Sequence, residues 1–156
     1  MAFRIPEFGT AASGAEYLLR PGGYAVIFNG AGAVAVVSTP RGLFLPGGGQ
    51  EFAESPEEAA IREAREECGL HISLGGHIGV ADELVFAEGE GAHYRKRCVF
   101  FFAEIVEELG VGEPDHELAW LASDAAVREL RHESQRWAVS KACRLITVAG
   151  VSIGTK

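Results

Sequence analysis

The chain has little sulfur and little positive charge. Three cysteines, Cys68, Cys98 and Cys143, stand in 156 residues. The number is odd and the spacing fits no metal-binding pattern, so the thiols read as reduced and mostly buried, in a reducing compartment. Lys and Arg number 14 against 22 Asp and Glu, a formal net charge of −8. An acidic chain is a poor general binder of nucleic acid or of an anionic membrane. A small anionic substrate stays open, because a bound metal ion inverts the local charge. No apolar run reaches membrane-spanning length. The opening MAFRIPEFGT has no apolar h-region, so no secretory signal is expected and the cytoplasm is the default. The five histidines show no ligand spacing, and no Ser/His/Asp or Cys/His nucleophile system can be argued. No internal repeat or low-complexity segment stands out.

What is present suits one domain over residues 1–156 with a real core, since 47% of the residues are hydrophobic. Residues 1–15 and 151–156 are expected to be irregular, with Phe8 in a short arm or edge strand. GYAVIF at 23–28, AVAVVS at 33–38 and a short segment at 43–45 read as three strands, the first two as a hairpin about Asn29-Gly30. Further strands are expected at 71–74 and 77–86, with a Gly75-Gly76 turn between them, and at 118–121. YRKRCVFFFAEIV at 94–106 has a nearly continuous apolar middle, which predicts a central strand buried on both faces. A helix capped by Ser123 or Asp124 and a last helix over 133–149 complete the chain. The last helix carries an apolar stripe of Trp137, Ala138, Ala142, Leu145, Ile146 and Ala149. Strands and helices do not alternate, so a doubly wound parallel sheet is not expected.

The most strongly marked segment is LPGGGQEFAESPEEAAIREAREECGL, residues 45–70. Ser55, Pro56 and Glu58 form a capping box with proline at the first helical position, and Gly69 supplies the stop. On the helix between them, Glu63, Glu66 and Glu67 share one face, with the small Ala59 and Ala60 one turn earlier. Ile61, Ala64 and Cys68 take the opposite, core-facing side. Arg62 stands four residues before Glu66 and can pair with it. Three carboxylates within one turn repel one another, and a hard divalent cation would relieve this. Taken alone, the three glutamates read equally well as a solvated acidic face.

The segment resembles the Nudix box, G-x5-E-x7-R-E-U-x-E-E-x-G-U, in which U is a bulky aliphatic residue. Gly48, Glu54, Arg62, Glu63, Glu66, Glu67 and Gly69 match every fixed letter, and Leu70 fills the last U. Ala64 departs from the other U position, where Ile, Leu or Val is usual, and Ala53 stands where many members have Gly. A looser likeness to small bacterial, MutT-like members runs from GYAVIF through GLFLPGGG to RWAV near Trp137.

The resemblance implies an α/β fold of the α+β type, an α/β/α sandwich about a mixed, partly antiparallel sheet. It also implies hydrolysis of a nucleoside diphosphate linked to another moiety, by water attack at phosphorus with Mg²⁺ or Mn²⁺. Glu66 and Glu67 are then the first metal ligands. Glu63 is a further ligand or the general base, and Glu63 and Glu67 are the catalytic pair. Gly48 offers a backbone carbonyl to the metal; Arg62 orients a carboxylate, Glu54 braces the loop onto the helix or else joins the metal ligands, and Gly69 ends the motif. Arg95 and Arg97, in the only dense basic cluster, are candidate phosphate contacts, although alternate residues of a strand face opposite sides. A further acid outside the box is implied too, and Glu83, Glu88, Glu90, Glu117 and Glu133 are the candidates. No nucleic acid or membrane partner is implied, and the chain is expected as a monomer or homodimer. Two other readings stay open: a Nudix-fold module that binds without cleaving, and a hydrolase of a non-nucleotide diphosphate such as a diphosphoinositol or an isoprenoid diphosphate.

Overall fold

The computed structural model describes residues 4–149. Eight strands occur among them: β1 (Glu7–Gly9), β2 (Tyr17–Ile27), β3 (Ala33–Thr39), β4 (Gly42–Phe44), β5 (Gly47–Gly49), β6 (Leu70–Ala87), β7 (Ala92–Glu108) and β8 (Glu117–Ala122). Three helices, α1 (Pro56–Cys68), α2 (Ser123–Glu129) and α3 (Glu133–Ala149), complete the described residues. The strands form two sheets, one in the order β1-β6-β7-β2-β5 and one in the order β4-β3-β8. β7 lies at the centre of the larger sheet, as its apolar run predicts, antiparallel to β6 and parallel to β2.

The period of two along β2 sets the layers. Tyr24 and Val26 pack with Phe100 and with Ala138, Val139 and Ala142 of α3. Ala25 and Ile27, pointing the other way, pack with Ala64 and Cys68 of α1. The same alternation on β3 sends Val34 and Val36 into the first cluster and Ala35 and Val37 into the second. Helices therefore cover both faces of a mixed, partly antiparallel arrangement of strands, which is an α/β/α sandwich. No helix among the described residues is long and apolar enough to cross a membrane.

Several local expectations are corrected. β2 and β3 do not form a paired hairpin; one bridge, Phe28 to Val34, joins them. The Asn29 carboxamide accepts from the N–H groups of Ala31 and Ala33 and redirects the chain. β2 instead pairs along its whole length with β7, from Tyr17–His93 to Ile27–Ala103, so it begins six residues before the GYAVIF run. Gly75 and Gly76 make no turn: β6 runs through them, with register shifts between Leu74 and Gly79. The arm residue Phe8 sits in β1, parallel to β6, with its ring 6.2 Å from that of Trp137. α2 is preceded by Ala122 with no side-chain cap. On α3 the stripe is buried only in its first half; Leu145 and Ala149 are exposed, while Gln135 and Val139 lie inside. Gly150 and the segment 151–156 lie outside the described residues.

Candidate active site

α1 forms as its sequence directs. Ser55 Oγ accepts from the Glu58 N–H, and the Glu58 carboxylate accepts from the Ser55 N–H. Gly69 ends the helix in the left-handed conformation, at φ 63°. Ala59 and Ala60 are fully buried, which corrects their reading as an approachable face. They lie in the turn that docks on β2, where a Cβ at Gly23 would stand 1.9 Å from the Pro56 carbonyl oxygen.

β5 lies across the acidic face of the helix, held by antiparallel pairing with β2. The Gly47 N–H donates to Glu67 Oε1 at 3.1 Å. A Cβ at Gly48 would come within 2.7 Å of the Glu63 carboxyl carbon, so a side chain there would push the Glu63 carboxylate out of its present position. Arg62 joins the motif together. Its Nε and Nη2 donate to the two carboxylate oxygens of Glu54 at 2.7 and 2.9 Å. Its Nη1 donates to Glu63 Oε1 at 2.8 Å and to Glu66 Oε2 at 3.0 Å, and Nη2 also donates to the Gly49 carbonyl at 2.9 Å. A planar fork with five donors suits this set of acceptors; an ammonium does not.

The carboxylates are not equivalent. Hydrogen bonding from Arg62 holds Glu54 below the usual range. Burial raises Glu63, against the opposing pull of Arg62. Glu67 is pushed up to about 8, first by burial and then by the charges of Glu63, Glu113 and Glu66, against the hydrogen bond from Gly47. Among the described residues no group of three or more His, Cys, Asp or Glu side chains is gathered into a metal cage. Glu63 and Glu66 are turned to Arg62, and Glu67 to Gly47. The donors are nonetheless all oxygen, and the crowding around Glu67 is what a hard dication would relieve.

The cleft over this face has a volume of about 200 Å³. Glu63, Glu67 and Gly47–Gly49 form one wall, and Tyr24, Lys96, His116, His132 and Gln135 are among the residues of the others. Arg95 and Arg97 are not brought there. Both donate to Asp82, Arg95 at 3.1 Å and Arg97 at 3.0 Å through both Nε and Nη2, and Arg95 also pairs with Glu7. Lys96, between them on β7, faces the cleft instead. Strand alternation makes that partition readable from the cluster once one member is placed.

Of the acids outside the box, Glu83 is buried and accepts from the Ser134 N–H at 2.8 Å. Glu88 and Glu90 stand on the β6–β7 turn, Glu117 opens β8 and Glu133 opens α3. The acid closest in effect to Glu63 and Glu67 is a residue outside that candidate set, Glu113. Its N–H donates to the Glu66 carbonyl at 2.9 Å, while Leu109 donates to the Gly69 carbonyl at 2.6 Å. The loop from 109 to 116 is thus docked on the orphan carbonyls at the end of α1. It carries His116, whose Nε2 lies 3.8 Å from Glu67 Oε2. The polar composition of this loop conceals its docking; Gly112, where a Cβ would stand 2.0 Å from the Glu67 carbonyl oxygen, and Gly110, at φ 119°, were the available signal.

Comparison with known proteins gives a consistent result. The sequence model of the NUDIX domain matches residues 18–143. Nudix hydrolase 18, mitochondrial, of Arabidopsis thaliana is 36% identical over 98 residues, covering 60% of this chain and 53% of that protein. The chain thus spans about half the length of that curated relative. The MutT NUDIX hydrolase from Burkholderia pseudomallei superposes with a TM-score of 0.56 at 29% identity, over 80% of this chain and 98% of its own. A NUDIX hydrolase from Nitrosomonas europaea superposes with a TM-score of 0.64 over 88% and 94%; at 21% identity this likeness shows the fold alone.

Proposed function

The chain belongs to the Nudix family, and from that premise we propose that it hydrolyses a nucleoside diphosphate linked to another moiety. The observation that carries this reading is the convergence of Glu63 and Glu67 on the Gly47–Gly48 backbone, with Glu67 held at about 8 by burial and like charge. A carboxyl so crowded is poorly suited to a merely solvated face. Glu66 and Glu67 are the residues to hold Mg²⁺ or Mn²⁺, with Glu63 and the Gly48 carbonyl beside them. When bound, the cation would neutralise phosphate oxygens and help to activate water. Glu63, half-buried and above the usual carboxylate range, is suited to take the proton of the attacking water. Arg62 and Glu54 hold the carboxylates in place, and Gly69 lets the helix end against the docked loop. Lys96 on the opposite wall is suited to meet a phosphate, the role first considered for Arg95 and Arg97.

The test is a Mg²⁺-dependent screen with EDTA blanks over canonical and oxidised nucleoside triphosphates, ADP-ribose, NDP-sugars, dinucleoside polyphosphates and coenzyme A. Turnover of at least one, abolished by EDTA, is expected. Binding without turnover of any compound over hours would overturn the hydrolase in favour of a binding module.

A further inference from the structure

Beside the cleft lies a second pocket of about 720 Å³. The two share Arg41, Phe44, Lys96 and His132, so one ligand can extend through both. Four cations line the second pocket: Arg20, Arg41, Lys96 and Arg131. The whole chain has 14 Lys and Arg and a net charge of −8. The four come from separate places, on β2, the β3–β4 turn, β7 and the segment between α2 and α3, so no single amphipathic face accounts for their meeting.

Two acids, Glu88 and Glu90, stand on the exposed rim. Glu90 lies 3.8 Å from Arg20, whose guanidinium also covers the Tyr94 ring at 4.1 Å and donates to its hydroxyl at 3.0 Å. Arg41, Lys96 and Arg131 have no ion-pair partner among the described residues. Lys96 is the most enclosed of them. Burial, with the charges of Arg20 and Arg41 adding to it, holds its ammonium below the ordinary lysine range. His132, at the junction of the pockets with its ring tilted against that of Phe44 at 5.3 Å, is pushed down to about 4 by burial and by Lys96, Arg131, Arg136 and Arg41. Glu83, paired with Lys96 across β6 and β7, and the rim acids offset only part of this charge; like charges gathered with too few counterions cost folding free energy, and a polyanion recovers it.

We propose that this pocket receives the group beyond the scissile diphosphate and selects substrates in which that group carries further phosphoryl groups. This rests on the hydrolase reading above and narrows it. Phosphate oxygens accept from guanidinium forks and from an ammonium. An uncharged sugar or an isoprenoid tail offers these cations little, and leaves Lys96 desolvated without a partner.

Diadenosine triphosphate and diadenosine pentaphosphate, which differ only in phosphate number, test this with Mg²⁺ present. Wild type is expected to favour the pentaphosphate at least tenfold in kcat/KM, through KM. In the Arg41→Gln/Arg131→Gln double variant that ratio falls toward one. Arg41→Lys/Arg131→Lys retains part of it, and Arg144→Ala, on an exposed turn of α3, leaves it intact. A wild-type ratio of one or below, or an unchanged ratio in the Gln double variant, overturns the proposal. Where neither compound is turned over, calorimetry with inorganic tripolyphosphate in EDTA decides. Binding that weakens at least tenfold in the Gln double variant but not in Glu67→Gln upholds the pocket, and the hydrolase reading then stands or falls separately, by the broader screen. No binding, or equal binding, overturns the pocket as well.

Discussion

Replacing Glu67 by Gln should stabilise the metal-free protein while removing its turnover. The side chain is 16% exposed and its carboxyl is pushed from 4.5 up to about 8. A group raised in this way favours folding in its protonated form. Its contribution is complete below about pH 4.5 and is lost as pH climbs toward 8. At ~1.36 kcal/mol per pH unit, the whole interval is a ceiling of ~5 kcal/mol, and the loss at pH 7 is ~3 kcal/mol. Local relaxation and water penetration reduce this, so a net effect of about 2–3 kcal/mol is expected at neutral pH. Glutamine keeps the acceptor for the Gly47 N–H and carries no charge. For a domain of this size the difference corresponds to a rise in Tm of roughly 5–10 °C. Thermal unfolding in EDTA at pH 5, 7 and 8.5 measures it. The advantage of the variant should be small at pH 5 and grow with pH, and Mg²⁺ should narrow it by stabilising wild type alone. A variant less stable than wild type at pH 8.5, or a difference independent of pH, would refute the reasoning.

Arg62→Lys should cost about 2–4 kcal/mol in denaturant unfolding, because three carboxylates lose a donor set that lysine cannot replace; kcat should fall with it, and a fully active, equally stable variant would remove the hub from the account. Gly23→Ala should destabilise by more than about 3 kcal/mol, since its Cβ would meet the Pro56 carbonyl and lift α1 from β2; an unchanged midpoint in urea would contradict the docking. Asp82→Asn should cost about 2–4 kcal/mol at neutral pH by leaving Arg95 and Arg97 short of their shared acceptor. Burial alone would raise the Asp82 carboxyl, but hydrogen bonds from Arg97 and Arg95 outweigh it and hold the group below the usual range. Its stabilisation is therefore present at neutral pH and fades as pH falls below about 4, so wild type and variant should converge in acid unfolding.

The most regular features were legible in the sequence because local chemistry determines them. Caps, spacing and stop signal placed α1 and its acidic face, and an apolar run placed β7 at the centre of a sheet. What local chemistry does not encode is which strand pairs with which. Asn29-Gly30 signals a turn, but the signal cannot show that β2 leaves its sequence neighbour for β7, since that choice is made by burial on both faces of a distant strand. The same limit applies to the site. The box residues carried their own spacing, whereas His116 and Lys96 reach the cleft, and the charge of Glu113 reaches Glu67, through a docked loop and a strand register that are set at long range. Arg95 and Arg97 were plausible as free cations until Asp82, far off in sequence and adjacent across β6 and β7, took both.

We propose that the acidic face of α1 directs water onto a phosphorus atom. Hydrolysis in ¹⁸O-labelled water with Mg²⁺, on whichever diphosphate compound the screen finds, tests it most directly when wild type and Glu67→Gln are run side by side. Mass spectrometry should find one ¹⁸O in a phosphoryl product of the wild-type reaction and almost no product from the folded variant. Label absent from every phosphoryl group, or a variant as active as wild type, would contradict the account.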